Sequence, residues 1–542
     1  MTQQTRRSFI KGMFTTSAAV SLGGCGLLDL SSFDPARFNL PCNGSSPIVT
    51  DAHAHFFNAS DLNFARYLSG PVLNDAINNG DSLEYQVLLN ATADLIQAIG
   101  NIVACSARAE LFWLRQPSPK MSLAAAQSEK QKMLQDEVRT VADDLFQFMP
   151  TNNTTHTNDK EKAFVNFRNA YEQWQTHELT KYQIRAGQTF SVQNYVIPFE
   201  YDVFLALSND MLPNIEISTA LDDPLQQDIE LINSKARGYL ELIRAIFSPR
   251  STNIQKYMDR YSKAPGPTVH NVMAVTCDFD YWLGPKAYSS SHSTQIKLYS
   301  KLSELTHNFV IPVLGVNPYK MVNNKKYQNM VSDALTNKGF KGVKLYPTLG
   351  YAMDGSEVEL QFNPQNYDER DISRGLDNLY SITGSEYFIM SHAMQSKGVS
   401  ANARKFSNAN YWKKVLTNNK DLRINFGHLG GFNGNNRTNY LKLMNQYENV
   451  YGDLGYQPTL SDTLYAKILV NSMRNISDEL FNKVMFGSDW FMLLQERTSK
   501  DYLSGIYDSF EQLVTQNFLK SGERDNLFRH NAMRMANVNK SC

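Results

Sequence analysis

Short apolar segments recur along the chain, and each is followed by a polar residue with chemical potential and then by a longer stretch with helical periodicity. Each segment has the length and the β-branched or aromatic content of a buried strand. Eight such segments occur, at residues 48–55, 272–278, 309–316, 342–346, 387–392, 423–428, 450–453 and 484–489. Strands that alternate with helices predict a parallel sheet in an α/β fold.

The spacing of these segments favours a closed barrel over an open sheet. From the second segment onward, their ends lie roughly 25 to 45 residues apart, close to one strand–helix unit of a (β/α)8 TIM barrel. Polar residues end many different strands, and a closed barrel brings those ends to one mouth. We therefore predict a TIM barrel formed by residues 47–60 and 266–542.

Residues 61–265 do not fit the strand–helix unit. We therefore predict that they form a large, mainly helical insertion after the first strand. Apolar residues recur there at steps of three and four, as in helices. The clearest of these patterns are at 84–114, 128–149, 161–179 and 225–247. An insertion that leaves the barrel after strand 1 emerges on the active face and would roof the pocket. A packing or dimerisation subdomain is an equal alternative.

The N-terminal segment predicts export. Arg6 and Arg7 precede an uncharged stretch that ends at Leu22-Gly23-Gly24-Cys25. This order indicates a twin-arginine signal peptide at residues 1–24, a lipidated Cys25 and a tether at 25–46. We expect a periplasmic lipoprotein of the bacterial cell envelope, and Gly26 in place of aspartate favours the outer membrane. The alternative is a helical N-terminus with a chance arginine pair.

Composition narrows the range of partners. The chain of 542 residues has 53 basic and 53 acidic side chains, so no global field recruits nucleic acid or an anionic membrane surface. Besides Cys25, the cysteines are Cys42, Cys105, Cys277 and Cys542, too widely spread for a zinc finger or redox motif. The expected partners are a small-molecule substrate and, through the lipid, a membrane; the oligomeric state is not predicted.

Four histidines and one aspartate stand at predicted strand ends. His53 and His55 project from the same side of one strand, while His392, His428 and Asp489 end three others. Neutral imidazoles hold a zinc-like ion and leave a position open for water. Asp489 would take the proton of that water, and His428 would polarise the substrate or stabilise the developing oxyanion.

Other polar residues carry weaker signals. Asp278, Asp280, Asp453 and Tyr346 also lie at strand ends and are as readily structural as functional. No role is assigned to His156, His177, His270, His292, His307 or His530.

The order His-x-His, Lys, His, His, Asp on strands 1, 4, 5, 6 and 8 resembles the amidohydrolase superfamily. Five motifs are similar to its branch of aminocarboxymuconate-semialdehyde decarboxylase, lactonases and related hydrolases. They are residues 51–57, 342–347, 427–431 and 486–490 and the pair Asn531-Ala532. The resemblance covers residues 47–60 and about 266–540 and leaves out the insertion.

This resemblance implies roles for individual residues. His53, His55, His392 and Asp489 match mononuclear metal ligands, with zinc the expected ion, and His428 matches the catalytic histidine. In two-metal relatives a fourth-strand lysine is carboxylated and bridges both ions, so Lys344 and His428 are the ligands of an alternative second metal. Otherwise Lys344 is a contact for a substrate anion or a structural residue, and Tyr346 is a substrate contact.

Three functions follow from this interpretation. The first is metal-dependent hydrolysis of a small ester, lactone or amide by a metal-activated water. The second is metal-dependent, non-oxidative decarboxylation of a conjugated carboxylic acid, in which His428 assists protonation at carbon. The third is a non-catalytic, surface-anchored binding or scaffold lipoprotein. The complete ligand set favours an enzyme, and export slightly favours hydrolysis.

Overall fold

Eight parallel strands form the centre of the molecule in a computed structural model. The structure describes residues 33–41, 46–72, 104, 106–114, 242, 245–246, 248–262, 266–280, 282–283, 290–359, 368–431, 434–496 and 499–538. The strands are β1 Ile48–His55, β2 Thr268–Val275, β3 Val310–Gly315, β4 Gly342–Leu345, β5 Phe388–His392, β6 Arg423–Gly427, β7 Val450–Asp453 and β8 Val484–Met485. They pair in chain order from β1 to β8.

The sheet closes on itself where the last strand returns to the first. The amide of Ala52 donates to the carbonyl of Phe486 at 3.0 Å, and the amide of Asp489 donates to the carbonyl of His53 at 2.7 Å. A parallel bridge joins Ala54 to Trp490. These bonds form the seam of the barrel, and the predicted (β/α)8 architecture is confirmed.

In the described part of the chain, one helix of eight residues or more follows each strand. Among the described residues these are α2 Arg250–Tyr261, α3 His292–Leu305, α4 Lys325–Asn337, α5 Glu369–Thr383, α6 Asn410–Asn418, α7 Gly434–Gln446, α8 Thr463–Arg474 and α9 Tyr502–Thr515, with α1 Ala107–Trp113 in the region before α2. Shorter helices are Phe64–Tyr67, Pro318–Met321, Ser521–Asp525 and Asn531–Met535.

Side chains at the helix starts explain where several of these helices begin. Ser291 and Asn324 accept hydrogen bonds from backbone amides in the first turns of α3 and α4. Asp368 and Asp371 form a reciprocal capping box at the start of α5. Such caps satisfy backbone donors that have no partner within the helix, and they fix the residue at which each of these helices begins.

Two apolar layers lie on opposite sides of the sheet. The inner layer fills the barrel and is closed at its base by the C-terminal helix Asn531–Met535; its members include Ala52, Met273, Val275, Ile311, Val313, Phe388, Met390 and Met485. The outer layer packs the strands against the surrounding helices. The inner layer makes the barrel a filled core and leaves the carboxyl ends of the strands as the place for a site.

A buried ionic cluster fastens α2 to the loop after β1. Arg250 is fully buried and donates from Nε to Asp61 Oδ2 at 3.0 Å and from Nη1 to Glu110 Oε2 at 3.0 Å. Its Nη2 also donates to Ser60 Oγ at 2.9 Å. Because Glu110 lies on α1, this Arg250 cluster joins three segments that are distant in sequence.

The observed elements refine the predicted boundaries. β2 begins at Thr268, whereas the apolar pattern places its start at 272. Helix α2 lies within the stretch assigned to the insertion, yet its residue Tyr257 donates from its hydroxyl to Asp51 of β1 at 2.6 Å. The predicted signal peptide, Cys25, most of the tether and most helical patterns of the insertion lie outside the described residues. Within the described part of the chain, no helix has the length and apolarity needed to span a membrane.

Candidate metal centre

Three side chains that could bind a metal ion lie close together at the barrel mouth. His53 and His55 belong to β1, and Asp489 follows β8. The Nε2 atoms of His53 and His55 lie 3.7 and 3.2 Å from Asp489 Oδ1. One ligand atom from each residue lies within 4.8 Å of the others, and all three residues are buried. The structure therefore brings together three of the four predicted ligands.

The backbone accounts for this convergence. Residues two apart in a strand point to the same face, which places the rings of His53 and His55 with their centroids 5.3 Å apart. Asp489 has a left-handed backbone with φ of 58°. It is held in place by the hydrogen bond that its backbone amide donates to the carbonyl of His53. The two strands that form the seam thus also deliver the three ligands.

The protonation states of His53 and Asp489 suit a divalent cation. Burial, followed by the charge of Lys344, lowers the pKa of His53 to about 3, so its imidazole is neutral at pH 7. Burial alone would raise the pKa of Asp489, but the hydrogen bond with His55 and the neighbouring histidines outweigh it and hold that pKa at about 2. Neutral imidazoles and an ionised carboxylate are the donors that zinc takes in proteins. The residues present therefore fit a divalent metal.

Lys344 lies directly beside these ligands. Its Nζ is 2.9 Å from His53 Nε2 and 5.1 Å from the centre of the Tyr346 ring. Burial lowers the pKa of Lys344 to about 8, against the opposing effect of Asp453 and Asp489. The amine of Lys344 faces the nitrogen of His53 that a metal would use. This position is compatible with a ligand of a second metal and with a substrate-anion contact or a structural residue.

His428 stands next to the three ligands and has a defined tautomer. Its ring centroid is 4.7 Å from that of His53, and its backbone φ is 67°. Nδ1 lies 3.0 Å from the carbonyl oxygen of Gly455, which can only accept. In the neutral ring Nδ1 therefore carries the hydrogen and Nε2 keeps the lone pair. Burial lowers the pKa of His428, which favours this neutral form.

His392 lies at the edge of the site rather than within the three-residue set. Its ring centroid is 4.6 Å from that of His428, and its Nε2 is 3.2 Å from Ser396 Oγ. Burial, followed by the charges of His428 and Lys344, lowers the pKa of His392 well below its usual value. His392 is neutral and near the predicted ligands, and its role as a fourth ligand stays a prediction.

Aromatic side chains surround the mouth. The Tyr346 ring is 6.4 Å from His55 and 4.7 Å from Phe279, measured between centroids. Phe57 packs edge-on against Phe491 at 4.9 Å and lies 5.8 Å from His55. These rings place the candidate metal ligands in apolar surroundings, which strengthens electrostatic interactions at the site.

Asp453 is a site residue to which the sequence assigns no definite role. It ends β7, is fully buried and lies 3.1 Å from His53 Nδ1 through its Oδ1. The only signal in the sequence is its position at a strand end between the strands of His428 and Asp489. Asp278, at another strand end, is instead paired with Lys320 at 2.7 Å.

Residues 332–536 match the amidohydrolase family model. This stretch is less than half of the chain and includes Lys344, His392, His428 and Asp489, but neither His53 nor His55. A search of curated proteins found no match.

Several solved structures share a distant likeness with the chain. A zinc-bound amidohydrolase from Burkholderia multivorans is 12% identical, with 50% of this chain and 84% of that chain covered and a TM-score of 0.32. The 5-carboxyvanillate decarboxylase LigW from Sphingomonas paucimobilis is 8% identical, with coverages of 50% and 79% and a TM-score of 0.32. The IDCase of Metarhizium anisopliae is 14% identical, with coverages of 55% and 80% and a TM-score of 0.33.

TM-scores this low do not establish a common fold, so the barrel assignment rests on the strand order and closure described above. The amidohydrolase match over residues 332–536, together with the buried histidine and aspartate side chains at the barrel mouth, supports an enzyme.

Proposed function

We propose that the protein is a metal-dependent hydrolase that acts on a small ester, lactone or amide. The observation that carries this proposal is the buried set of His53, His55 and Asp489, a combination of two imidazoles and a carboxylate that suits one divalent ion, with zinc the expected metal. Such an ion supplies Lewis acidity, which acidifies water and polarises a carbonyl group. A non-catalytic scaffold does not account for this set.

Asp489 is suited to move the proton of the attacking water. With a pKa of about 2, its carboxylate is ionised at neutral pH and can accept that proton as oxygen bonds to the carbonyl carbon. It then returns the proton to the leaving oxygen or nitrogen as the acyl bond breaks. The carboxylate is regenerated, so the cycle needs no further reactant than water.

The tautomer of His428 favours hydrolysis over decarboxylation. With hydrogen on Nδ1, neutral His428 offers an acceptor at Nε2, which can orient water or assist its deprotonation. The alternative role of stabilising an oxyanion needs a hydrogen on Nε2. Decarboxylation would need His428 to donate a proton to carbon, and burial lowers its pKa and opposes that protonated state.

The first experiment measures metal content by elemental analysis of the purified chain, beside the double variant His53→Ala/His55→Ala. About one zinc ion per chain is expected in the wild type and almost none in the double variant. The exposed His307, with φ of 52°, provides a control as His307→Asn, which should keep the wild-type metal content. Two ions per chain would favour Lys344 as a bridging ligand.

The same preparations identify the reaction. Lactones, esters and amides are screened for hydrolysis, and conjugated carboxylic acids for release of carbon dioxide. Hydrolysis that is lost on chelation and restored by zinc is the expected result, with a decrease of at least about 1000-fold in kcat/KM for the double variant. Carbon dioxide release without hydrolysis would establish decarboxylation, and absence of metal after supplementation would reject the mechanism.

We also propose that the protein works in the bacterial cell envelope. The paired arginines at positions 6 and 7 and the sequence Leu22-Gly23-Gly24-Cys25 support twin-arginine export and lipidation of Cys25. A lipid on Cys25 would hold the barrel near a membrane surface without a spanning helix.

A further inference from the structure

We infer that Asp453 is a positioning residue of the metal centre, which orients the ligand His53 and the catalytic residue His428 through one carboxylate. This inference rests on the proposed function, because it concerns the same site. The hydrogen-bond partners of Asp453 among the described residues are His53, Asn425, His428 and Gly455, so it acts through its neighbours.

One oxygen of Asp453 binds both histidines. Oδ1 lies 3.1 Å from Nδ1 of His53 and accepts from the backbone amide of His428 at 3.0 Å. It also accepts from the amide of Gly455 at 2.9 Å, and the carbonyl of Gly455 in turn accepts from Nδ1 of His428. A single carboxylate thus fixes the ring of His53 and both the backbone and the ring of His428.

The bond to His53 determines which nitrogen is available for a metal. A carboxylate at Nδ1 favours the tautomer with hydrogen on that atom, which leaves the lone pair on Nε2. Nε2 is the nitrogen of His53 that lies 3.7 Å from Asp489 Oδ1. The negative charge also makes Nε2 a stronger donor to a cation, so Asp453 supports binding in both orientation and charge.

Asp453 is itself held in this orientation. Oδ2 accepts from Asn425 Nδ2 at 2.8 Å, so both oxygens of the carboxylate have partners. A buried carboxylate with two histidine partners has the properties of a fixed orienting group.

Glycines leave the room that this arrangement needs. A Cβ at Gly455 would lie 3.0 Å from Asp453 Oδ1 and 3.1 Å from His53 Nδ1. A Cβ at Gly487 would lie 3.2 Å from the same carboxylate oxygen. Gly455, two residues after Asp453, and Gly487, after β8, therefore leave free the space where the carboxylate meets the ring of His53.

The test compares zinc affinity in the full-length wild type, Asp453→Asn and Asp278→Asn by competition with a chromophoric chelator. Asparagine keeps the shape and an acceptor oxygen but removes the charge, so Asp453→Asn should bind zinc about 10- to 100-fold more weakly. Asp278 is also a buried aspartate close to a strand end, but its partners are Lys320 and Tyr327. Asp278→Asn should therefore stay within about twofold of the wild type.

A spectroscopic readout separates positioning from general stability. Cobalt(II) replaces zinc, and its visible absorption reports the geometry of the ligands. The Asp453→Asn spectrum should differ from that of the wild type, whereas the Asp278→Asn spectrum should not. If Asp453→Asn fails to fold, Asn425→Ala leaves the carboxylate in place and should weaken zinc binding by about two- to fivefold through the loss of one hydrogen bond.

The outcomes are distinct. Equal zinc affinity and identical cobalt spectra in the wild type and Asp453→Asn would overturn the role of Asp453 while the metal site stands. Failure of the wild type to bind zinc or cobalt would overturn the proposed function and, with it, this inference.

Discussion

His270 on β2 is a half-buried histidine whose protonation affects folding rather than the candidate site. Burial, followed by the charge of Arg529, lowers the pKa of His270 below that of a free histidine. The folded chain therefore binds this proton less readily than the unfolded chain does. The resulting stability is fully present above about pH 6.5 and is lost as the pH falls below it.

Replacement of His270 should reduce this pH dependence. The free energy of unfolding, measured by urea denaturation of the metal-free protein, is expected to fall between pH 7.5 and 5.5. In His270→Gln the fall should be smaller, because glutamine does not titrate. An equal fall in the wild type and the variant would show that His270 does not contribute.

Membership of the candidate site could be predicted from the sequence for side chains whose position follows from strand geometry alone. His53 and His55 are two apart on one strand, and Asp489 ends another, so closure of the barrel suffices to bring them together. The role of Asp453 could not be predicted in the same way. It depends on which nitrogen of His53 faces β7, and this is fixed by side-chain packing rather than by residue spacing.

Helix α2 is the element whose attachment depends most on a buried charge. Arg250 at its first turn compensates Asp61 and Glu110, and all three side chains are fully buried. Arg250→Met removes the cation and leaves two buried carboxylates, so the free energy of unfolding should decrease by about 3–5 kcal/mol.

An exposed arginine on another helix gives the matched control. Arg370 at the start of α5 lies 3.5 Å from Asp368, and its side chain is 92% exposed. Arg370→Met should change the free energy of unfolding by less than about 0.5 kcal/mol. Similar values for both variants in urea denaturation would contradict a stabilising role of the buried cluster.

The bounds of a helix or strand could be predicted where its hydrophobic pattern in the sequence is regular. Strands such as β7 and β1 match their predicted bounds because each begins at a β-branched apolar residue and ends at a polar residue of the candidate site. Helix α2 lies within the predicted insertion, and its buried face contains Arg250, Asn253 and Gln255, so its burial does not appear as an apolar period. A helix whose buried face is polar lacks the apolar periodicity by which a buried helix is recognised in a sequence.

At the scale of the whole molecule, the proposed export and anchoring depend on two features of the N-terminus. Arg6→Lys/Arg7→Lys keeps the charge but removes the twin-arginine signal, so the protein should stay in the cytoplasm. Cys25→Ser should abolish incorporation of labelled fatty acid. Cell fractionation and metabolic labelling measure these effects, and export of the lysine variant at the wild-type level would reject the twin-arginine route.

The barrel as a whole was predictable because its eight strand–helix units repeat, and the strand order from β1 to β8 confirms it. Substrate identity could not be predicted in this way. Loops and inserted segments form the pocket walls of such barrels. The sequence of residues 61–265 does not follow the repeating strand–helix unit.

The position of the three ligands on the seam has a consequence for protein synthesis. His53 and His55 leave the ribosome early, whereas Asp489 is added only after the first seven strands have been made. A nascent or prematurely terminated chain that lacks β8 has neither the seam nor the third candidate ligand. The three-residue set can therefore form only once synthesis has passed residue 489.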